Sequence, residues 1–149
     1  MNRKMLSKEI LHSLPIDQYA DMAEEIGRIN PADIDGDLMR HPAIFTHFAG
    51  VASEAKRLAD RSLLNLSLYE SSAKEDERRN RIEKGIKITD KSIENWVITQ
   101  PKYRELQSEL LESNARYEKI KAIVRGLEHK RDCLVQLSSN NRAISKIHG

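Results

Sequence analysis

Aromatic residues, glycine, proline and cysteine are all scarce in this sequence. These shortages argue against an all-β fold and against an intrachain disulfide. Aromatic residues make up 5% of the 149 residues, and the chain has six Gly and four Pro. An all-β fold needs more turn residues than this, so the composition favours a helical protein. Cys133 is the single cysteine, which excludes an intrachain disulfide and is typical of a reducing compartment. We therefore expect a cytoplasmic protein.

Long hydrophobic runs are also missing. Charged residues interrupt every apolar stretch well before the ~20 residues that a membrane span requires, so we expect no membrane association. Hydrophobic residues make up 39% of the chain and charged residues 32%, against ~25% charged in an average domain. Such a balance is typical of helices with narrow apolar stripes and a large solvated surface.

Two long helices dominate the predicted fold. From residue 42 to residue 85, apolar and small side chains recur every three or four residues, which is the spacing of one helix face. From residue 101 to about residue 137, seam positions alternate between steps of three and four, as in a coiled coil. This second seam carries the apolar residues Leu106, Leu110, Tyr117, Ile120, Val124, Leu127 and Leu134, with Arg131 on the same seam.

The remaining segments are short. Thr89 is a suitable N-cap for a helix that carries Ile93, Trp96 and Val97. Residues 2–14 and 16–27 predict two short helices. Pro31, Gly36 and Pro42 predict a loop with solvated acids at residues 33–37, and the polar tail after residue 137 is expected to fray.

Together these segments predict an all-α protein. We expect two long helices joined by a short helix in a coiled-coil-like antiparallel arrangement, with a small N-terminal helical region. The domain boundary is placed between residues 1–41, which hold the short helices and the acidic loop, and residues 42–149, which hold the long helices. Two antiparallel helices bury little surface on their own, so we expect a homo-oligomer to complete the core.

Patterns for catalysis and metal binding are missing. The sequence has no nucleophile elbow, phosphate-binding loop or zinc-protease helix motif, and its five histidines lack metal-ligand spacing with one another or with Cys133. The acidic run DIDGD fails as a calcium loop, because a loop starting at Asp33 would need Gly and Glu where Leu38 and Ile44 stand. We expect no enzyme activity, no cofactor and no metal.

The net charge is only +2, but its distribution along the chain is uneven. Residues 15–37 carry −6, residues 78–92 carry +4 and residues 116–149 carry +5. The second of these regions holds six basic residues at a junction between predicted helices: Arg78, Arg79, Arg81, Lys84, Lys87 and Lys91. Basic residues at the end of a helix interact favourably with its dipole, and they also form phosphate-binding patches. Both interpretations stay open at this point.

The order of features from residue 86 onward is similar to that of a known family. The features are Lys87 with Thr89, then Ile93 and Val97, the break TQPKY, and a long amphipathic helix ending in RDCLVQL. The preceding stretch HPAIFTHFAGVASEAKRLAD is similar to the first long helix of the same family. On these features, roughly residues 37–141 resemble the UvsY-like phage recombination mediators.

The resemblance implies an all-helical, ring-forming protein that binds single-stranded DNA and is not an enzyme. It also implies that the protein helps load a RecA-type recombinase onto strands coated by single-stranded-DNA-binding protein, in the host cytoplasm if it is phage-encoded. In that family a Lys-x-Arg pair near the end of the first long helix contributes to DNA binding, and the aligned residues here are Asn65 and Ser67. The DNA contacts are therefore expected at the basic junction, which an oligomer could gather onto one face.

Other functions are also compatible with the sequence. The chain could be a coiled-coil adaptor or scaffold that binds only protein, or a general basic protein that binds duplex DNA. Within the mediator hypothesis, the DNA contacts could instead lie on the second long helix, at Arg116, Lys119, Lys121, Arg125 and Lys130.

Overall fold

The computed structural model describes residue 15 and residues 17–149, so the predicted helix at residues 2–14 lies outside the described residues. The described chain is 88% helical and contains no strand. Its four helices are α1 (Gln18–Gly27), α2 (Ile34–Glu83), α3 (Asp90–Thr99) and α4 (Pro101–His148). The long helices α2 and α4 pack together. The predicted all-α class, with two long helices joined by a short one, is confirmed.

The start of α2 differs from the sequence-based expectation. The prediction of a loop through Gly36 to Pro42 was wrong, because α2 begins at Ile34 and contains Pro42. Asp33 caps the helix, since its carboxylate accepts a hydrogen bond from the Gly36 N–H at 3.1 Å. The same carboxylate packs so closely on Gly36 that any Cβ at that position would clash with it. Gly36 therefore belongs to the helix N-terminus and does not mark a loop.

Pro42 is tolerated inside α2 because of its surroundings. A proline in a helix interior removes one backbone hydrogen bond and costs about 3 kcal/mol. The Pro42 ring is exposed, whereas the adjacent His41 is buried. The His41 Nε2 atom lies 2.7 Å from the Leu127 carbonyl oxygen of α4 and donates a hydrogen bond to it. Tertiary contacts of this kind outweigh the local preference against helix.

The end of α4 also differs from expectation. The tail after residue 137 was predicted to fray, but α4 continues to His148. Side chains bond to the backbone carbonyls one turn earlier: Arg142 Nε donates to the Ser138 carbonyl at 3.3 Å, and Ser145 Oγ donates to the Asn141 carbonyl at 3.0 Å. Ser138 is also buried and its hydroxyl donates to Asp35 of α2 at 3.1 Å, so a tertiary contact holds α4 beyond residue 137.

The chain divides into two compact units. The first unit contains the described residues up to 55 together with residues 116–149, and the second contains residues 56–115. Helices α2 and α4 therefore each contribute to both units. This division differs from the predicted domain boundary between residues 41 and 42, which falls inside α2.

In the first unit, three helices enclose one apolar cluster. Its buried members come from α1, α2 and α4: Tyr19, Phe48, Val51, Ala55, Ile120, Ile123 and Leu127. Two contacts fix the direction of the long helices here, because His41 meets Leu127 and Ser138 Oγ donates to Asp35 Oδ1 at 3.1 Å. Later residues of α2 therefore lie beside earlier residues of α4, so the two helices are antiparallel within this unit.

Lys130, and not its neighbour Arg131, faces the interior from α4. The sequence-based seam included Arg131, but Arg131 is exposed and pairs with Asp132 at 3.0 Å. Lys130 is only 8% exposed, and its ammonium donates to the Ile26 carbonyl of α1 at 2.9 Å. Because α4 packs on two helices in this unit, its inward stripe is wider than a coiled-coil seam and includes Lys130.

A buried carboxylate lies close to this lysine. Asp37 was expected to be solvated, but it is buried and accepts hydrogen bonds from the Asn30 N–H at 2.9 Å and from Arg40 at 2.8 Å. The Asn30 N–H, together with Arg40 and the charge of Lys130, holds the pKa of Asp37 below its usual value. The acidic stretch at the start of α2 thus has a structural role in joining the loop after α1 to α2.

We predict that Lys130→Met lowers the free energy of unfolding by about 1–3 kcal/mol, because the Ile26 carbonyl loses its charged donor. The matched change Arg131→Met should alter that free energy by no more than about 0.5 kcal/mol, since Arg131 is exposed. Urea denaturation followed by circular dichroism measures both values. Equal losses for the two variants would contradict the inward position of Lys130.

Candidate nucleic-acid interface

The basic junction belongs to the second unit and begins where α2 ends. Gly85 has φ of 64°, a left-handed conformation that glycine adopts without a Cβ penalty. The Gly85 N–H donates to the Ile82 carbonyl at 3.1 Å, and the Ile86 N–H donates to the Arg81 carbonyl at 3.0 Å. These two bonds form a Schellman motif, which ends α2 and satisfies the carbonyls of Arg81 and Ile82.

The start of α3 is equally well defined. Thr89 Oγ1 accepts a hydrogen bond from the Ser92 N–H at 3.2 Å, and Ser92 Oγ accepts one from the Thr89 N–H at 3.3 Å. This reciprocal pair is a capping box, so the prediction that Thr89 is the N-cap of α3 is confirmed. The junction between α2 and α3 is therefore a short connection that is fixed at both ends.

Two of the six basic residues hold α2 and α3 together. Arg78 pairs with Asp90 in the first turn of α3 at 2.8 Å. Arg81 is 16% exposed and pairs with Glu77 at 2.7 Å. The Arg81 guanidinium also donates to Ser92 Oγ at 2.7 Å.

The same arginine sets the charge state of its partner. Its guanidinium holds the pKa of Glu77 below the usual value, with Asn80 and the charge of Lys84 contributing less. The positive charges of Arg78 and Arg81 are therefore largely compensated within the chain.

Four basic residues at the junction remain open to solvent. Within the part of the chain that the structure describes, their side chains are exposed and form no ion pair: Arg79, Lys84, Lys87 and Lys91. We call these four residues the exposed basic set. They surround the Gly85 turn and the start of α3, so a phosphate chain could reach them without disturbing a buried contact. Of the six predicted DNA-binding residues, these four have the exposure that such contacts require.

The alternative site on α4 offers fewer available charges. Lys130 is buried, and Lys121 pairs with Glu118 at 3.2 Å while its ammonium lies 5.3 Å from the centre of the Tyr117 ring. Arg116 is partly buried and lies close enough to Tyr19 for its charge to oppose the effect of burial, which raises the pKa of Tyr19. Lys119 and Arg125 are exposed. The junction is therefore the stronger candidate.

The predicted seam residues of α4 lie in the interior of the chain itself. Leu106, Ile120, Leu127 and Leu134 are buried, and the other three are partly buried: Leu110, Tyr117 and Val124. In the second unit, Ser62 of α2 lies 3.3 Å from Ser113 of α4, between their hydroxyl oxygens. The seam is thus occupied by contacts within one chain.

The described residues contain no group of three or more His, Cys, Asp or Glu side chains placed to hold a metal ion. None of the described helices is long and apolar enough to cross a bilayer.

Sequence reasoning missed the ion pairs that compensate Arg78 and Arg81. The pair of Glu77 with Arg81 could have been found, because the two residues stand four apart on one helix face. The pair of Arg78 with Asp90 could not, because it depends on the angle at which α3 returns after the Gly85 turn.

Comparison with known proteins identifies no relative. The chain matches no family model, no curated protein sequence and no solved structure at a significant level.

We predict that Gly85→Ala lowers the free energy of unfolding by about 1–2 kcal/mol, because an L-residue is strained at this left-handed position. Gly126 provides a matched control, since it lies inside α4 and a Cβ at either glycine would meet no atom within 4 Å. Gly126→Ala should raise the free energy of unfolding by up to about 1 kcal/mol. Denaturant titration of the two variants checks both signs, and a stabilised Gly85→Ala variant would contradict the junction geometry.

Proposed function

We propose that this protein is a recombination mediator that binds single-stranded DNA. In this proposal it assists the loading of a RecA-type recombinase onto strands coated by single-stranded-DNA-binding protein, and it acts as a binding protein without enzymatic chemistry. The observation that carries the proposal is the exposed basic set, whose four charges surround one fixed turn and have no acidic partner within the described chain. The recombinase and the coating protein are proposed as partners only because the family resemblance implies them.

The composition of the junction supports contact with phosphates more than contact with bases. Lys and Arg side chains neutralise backbone phosphates whatever the sequence, as a mediator that acts on any strand requires. Base stacking would need exposed aromatic rings, and the nearest ones, Tyr69 and Trp96, are partly buried. We therefore expect weak sequence preference and strong salt dependence.

Self-association is part of the proposal, but its physical basis differs from the sequence-based reasoning. The apolar seam of α4 is covered within the chain, so it is not available to a second copy. The second unit nevertheless exposes large apolar side chains on its long helices, including Leu64 and Leu68 on α2 and Leu111 on α4. Such side chains are a reason to expect a homo-oligomer, in which each subunit adds one exposed basic set to the same DNA strand.

The competing function is a protein-only adaptor. It is favoured by the ion pairs of Arg78 and Arg81, which show that part of the junction charge serves the fold. An adaptor would use the remaining charge for solubility alone, and it would not bind DNA.

We predict that replacing the whole exposed basic set by Gln weakens binding to single-stranded oligo-dT about tenfold or more at moderate salt, because up to four phosphate contacts are lost. The slope of log affinity against log salt should also become shallower, by about 0.7 for each lost contact. Fluorescence anisotropy over a range of salt concentrations measures both effects.

The matched control removes four exposed positive charges elsewhere: Lys102, Arg104, Lys119 and Arg125. Its net charge is the same as that of the first variant, so it should retain most of the affinity and of the salt slope. Equal weakening in the two variants would contradict a DNA site at the junction. A parent protein that does not bind single-stranded DNA, or that prefers duplex, would contradict the proposed function.

A further inference from the structure

Two exposed leucines lie on the outer side of α2, within the unit of residues 56–115. Leu64 and Leu68 are 56% and 60% exposed, and each lies about 160° around the helix from the buried Leu66 at ~100° per residue. Steps of three and four along the same face lead from Leu64 to Arg61 and Arg57, and from Leu68 to Ser71 and Glu75, so polar and charged positions flank the two leucines. This spacing is that of a coiled-coil seam on the side of α2 opposite to the core.

We propose that two copies of this chain pair through the outer face of α2, antiparallel, about a two-fold axis that passes beside residue 66. In this register Leu64 of each copy packs against the partner's Leu68. The two exposed leucines are thereby removed from water on both copies. The proposal rests on the self-association part of the proposed function and specifies its interface. It does not depend on DNA binding.

Charge complementarity selects this orientation. With Leu64 opposite the partner's Leu68, the same register places Arg57 opposite the partner's Glu75 and Arg61 opposite the partner's Ser71. Glu75 is exposed and has no ion pair within the described part of the chain, and in this register an opposite charge, the partner's Arg57, lies across from it. Opposite charges that flank an apolar seam set partner choice and orientation in paired helices.

The parallel orientation is disfavoured by the same residues. A parallel pair in register would place Arg57, Arg61 and Glu75 each against its own copy. Like charges in direct opposition are destabilising, and that arrangement would repeat them in three layers. An antiparallel shift by one heptad would remove the contact between Leu64 and Leu68. One register therefore satisfies both the apolar and the charged positions.

Leu63 provides an internal control for this face. It is 52% exposed, close to the value for Leu64, but it lies about 100° away around the helix. A leucine in that direction is outside the proposed seam. If exposure alone decided association, substitutions at Leu63 and Leu64 would have equal effects. The proposed interface contains only Leu64.

The experiment is sedimentation equilibrium of the full chain and its variants, with helix content checked by circular dichroism. The parent should self-associate, and Leu64→Lys should weaken association about 30-fold or more, as expected for a central apolar contact. Leu63→Lys should leave association within about threefold of the parent. Glu75→Arg should weaken it about tenfold, because it places two arginines together.

The decisive variant combines Arg57→Glu with Glu75→Arg. Arg57→Glu alone should weaken association as Glu75→Arg does, and the double change should restore it, since the pair is reversed and not lost. Three results would overturn the proposed interface. The parent could be monomeric, the changes at Leu63 and Leu64 could weaken association equally, or the double variant could associate no more tightly than the two single variants.

Binding of oligo-dT by the same variants separates the two proposals. An associating parent that ignores single-stranded DNA defeats only the proposed function. A monomeric parent that binds DNA with the predicted salt slope defeats the interface and the self-association part of the proposed function, and leaves the proposed DNA binding standing.

Discussion

A long helix with a narrow apolar stripe is stable in water only when another helix covers that stripe, and this constraint governs the whole chain. Helices α2 and α4, with 50 and 48 residues, cover each other with the apolar seam residues between them. In the first unit, α1 packs against both long helices, and Lys130 of α4 donates a hydrogen bond to the Ile26 carbonyl near the end of α1. In the second unit, α3 has the corresponding place, with Ile93 and Val97 fully buried.

The covered seam determines what is left for function. Because the seam is used within the chain, the remaining surface of the described residues consists mainly of charged helix faces, separate exposed apolar side chains and the junction between α2 and α3. Local interactions hold the junction, namely the Schellman motif at Gly85, the capping box at Thr89 and the ion pairs of Arg78 and Arg81. In the proposed function, such a turn would bind a polyanion with less loss of conformational entropy than a mobile loop would.

Much of the fold could be predicted from periodicity alone. The two long helices, the N-cap at Thr89 and the basic junction follow from side-chain spacing and local chemistry. The helical Pro42 could not be predicted, because its tolerance depends on the contact of His41 with a carbonyl distant in sequence. The inward position of Lys130 depends on α1, which adds a third helix beside the two-helix seam. At the junction, the sequence identified the charges but not which of them Asp90 and Glu77 compensate.

The most direct test of the central claim, that the exposed basic set contacts a phosphate chain, is lysine acetylation of the full chain with and without oligo-dT, read by mass spectrometry. All the lysines compared are exposed in the described chain, so each should react readily when DNA is absent. The account predicts that DNA protects Lys84, Lys87 and Lys91, while Lys102 and Lys119 keep their reactivity. Protection of Lys102 and Lys119 with no change at the junction lysines would contradict it.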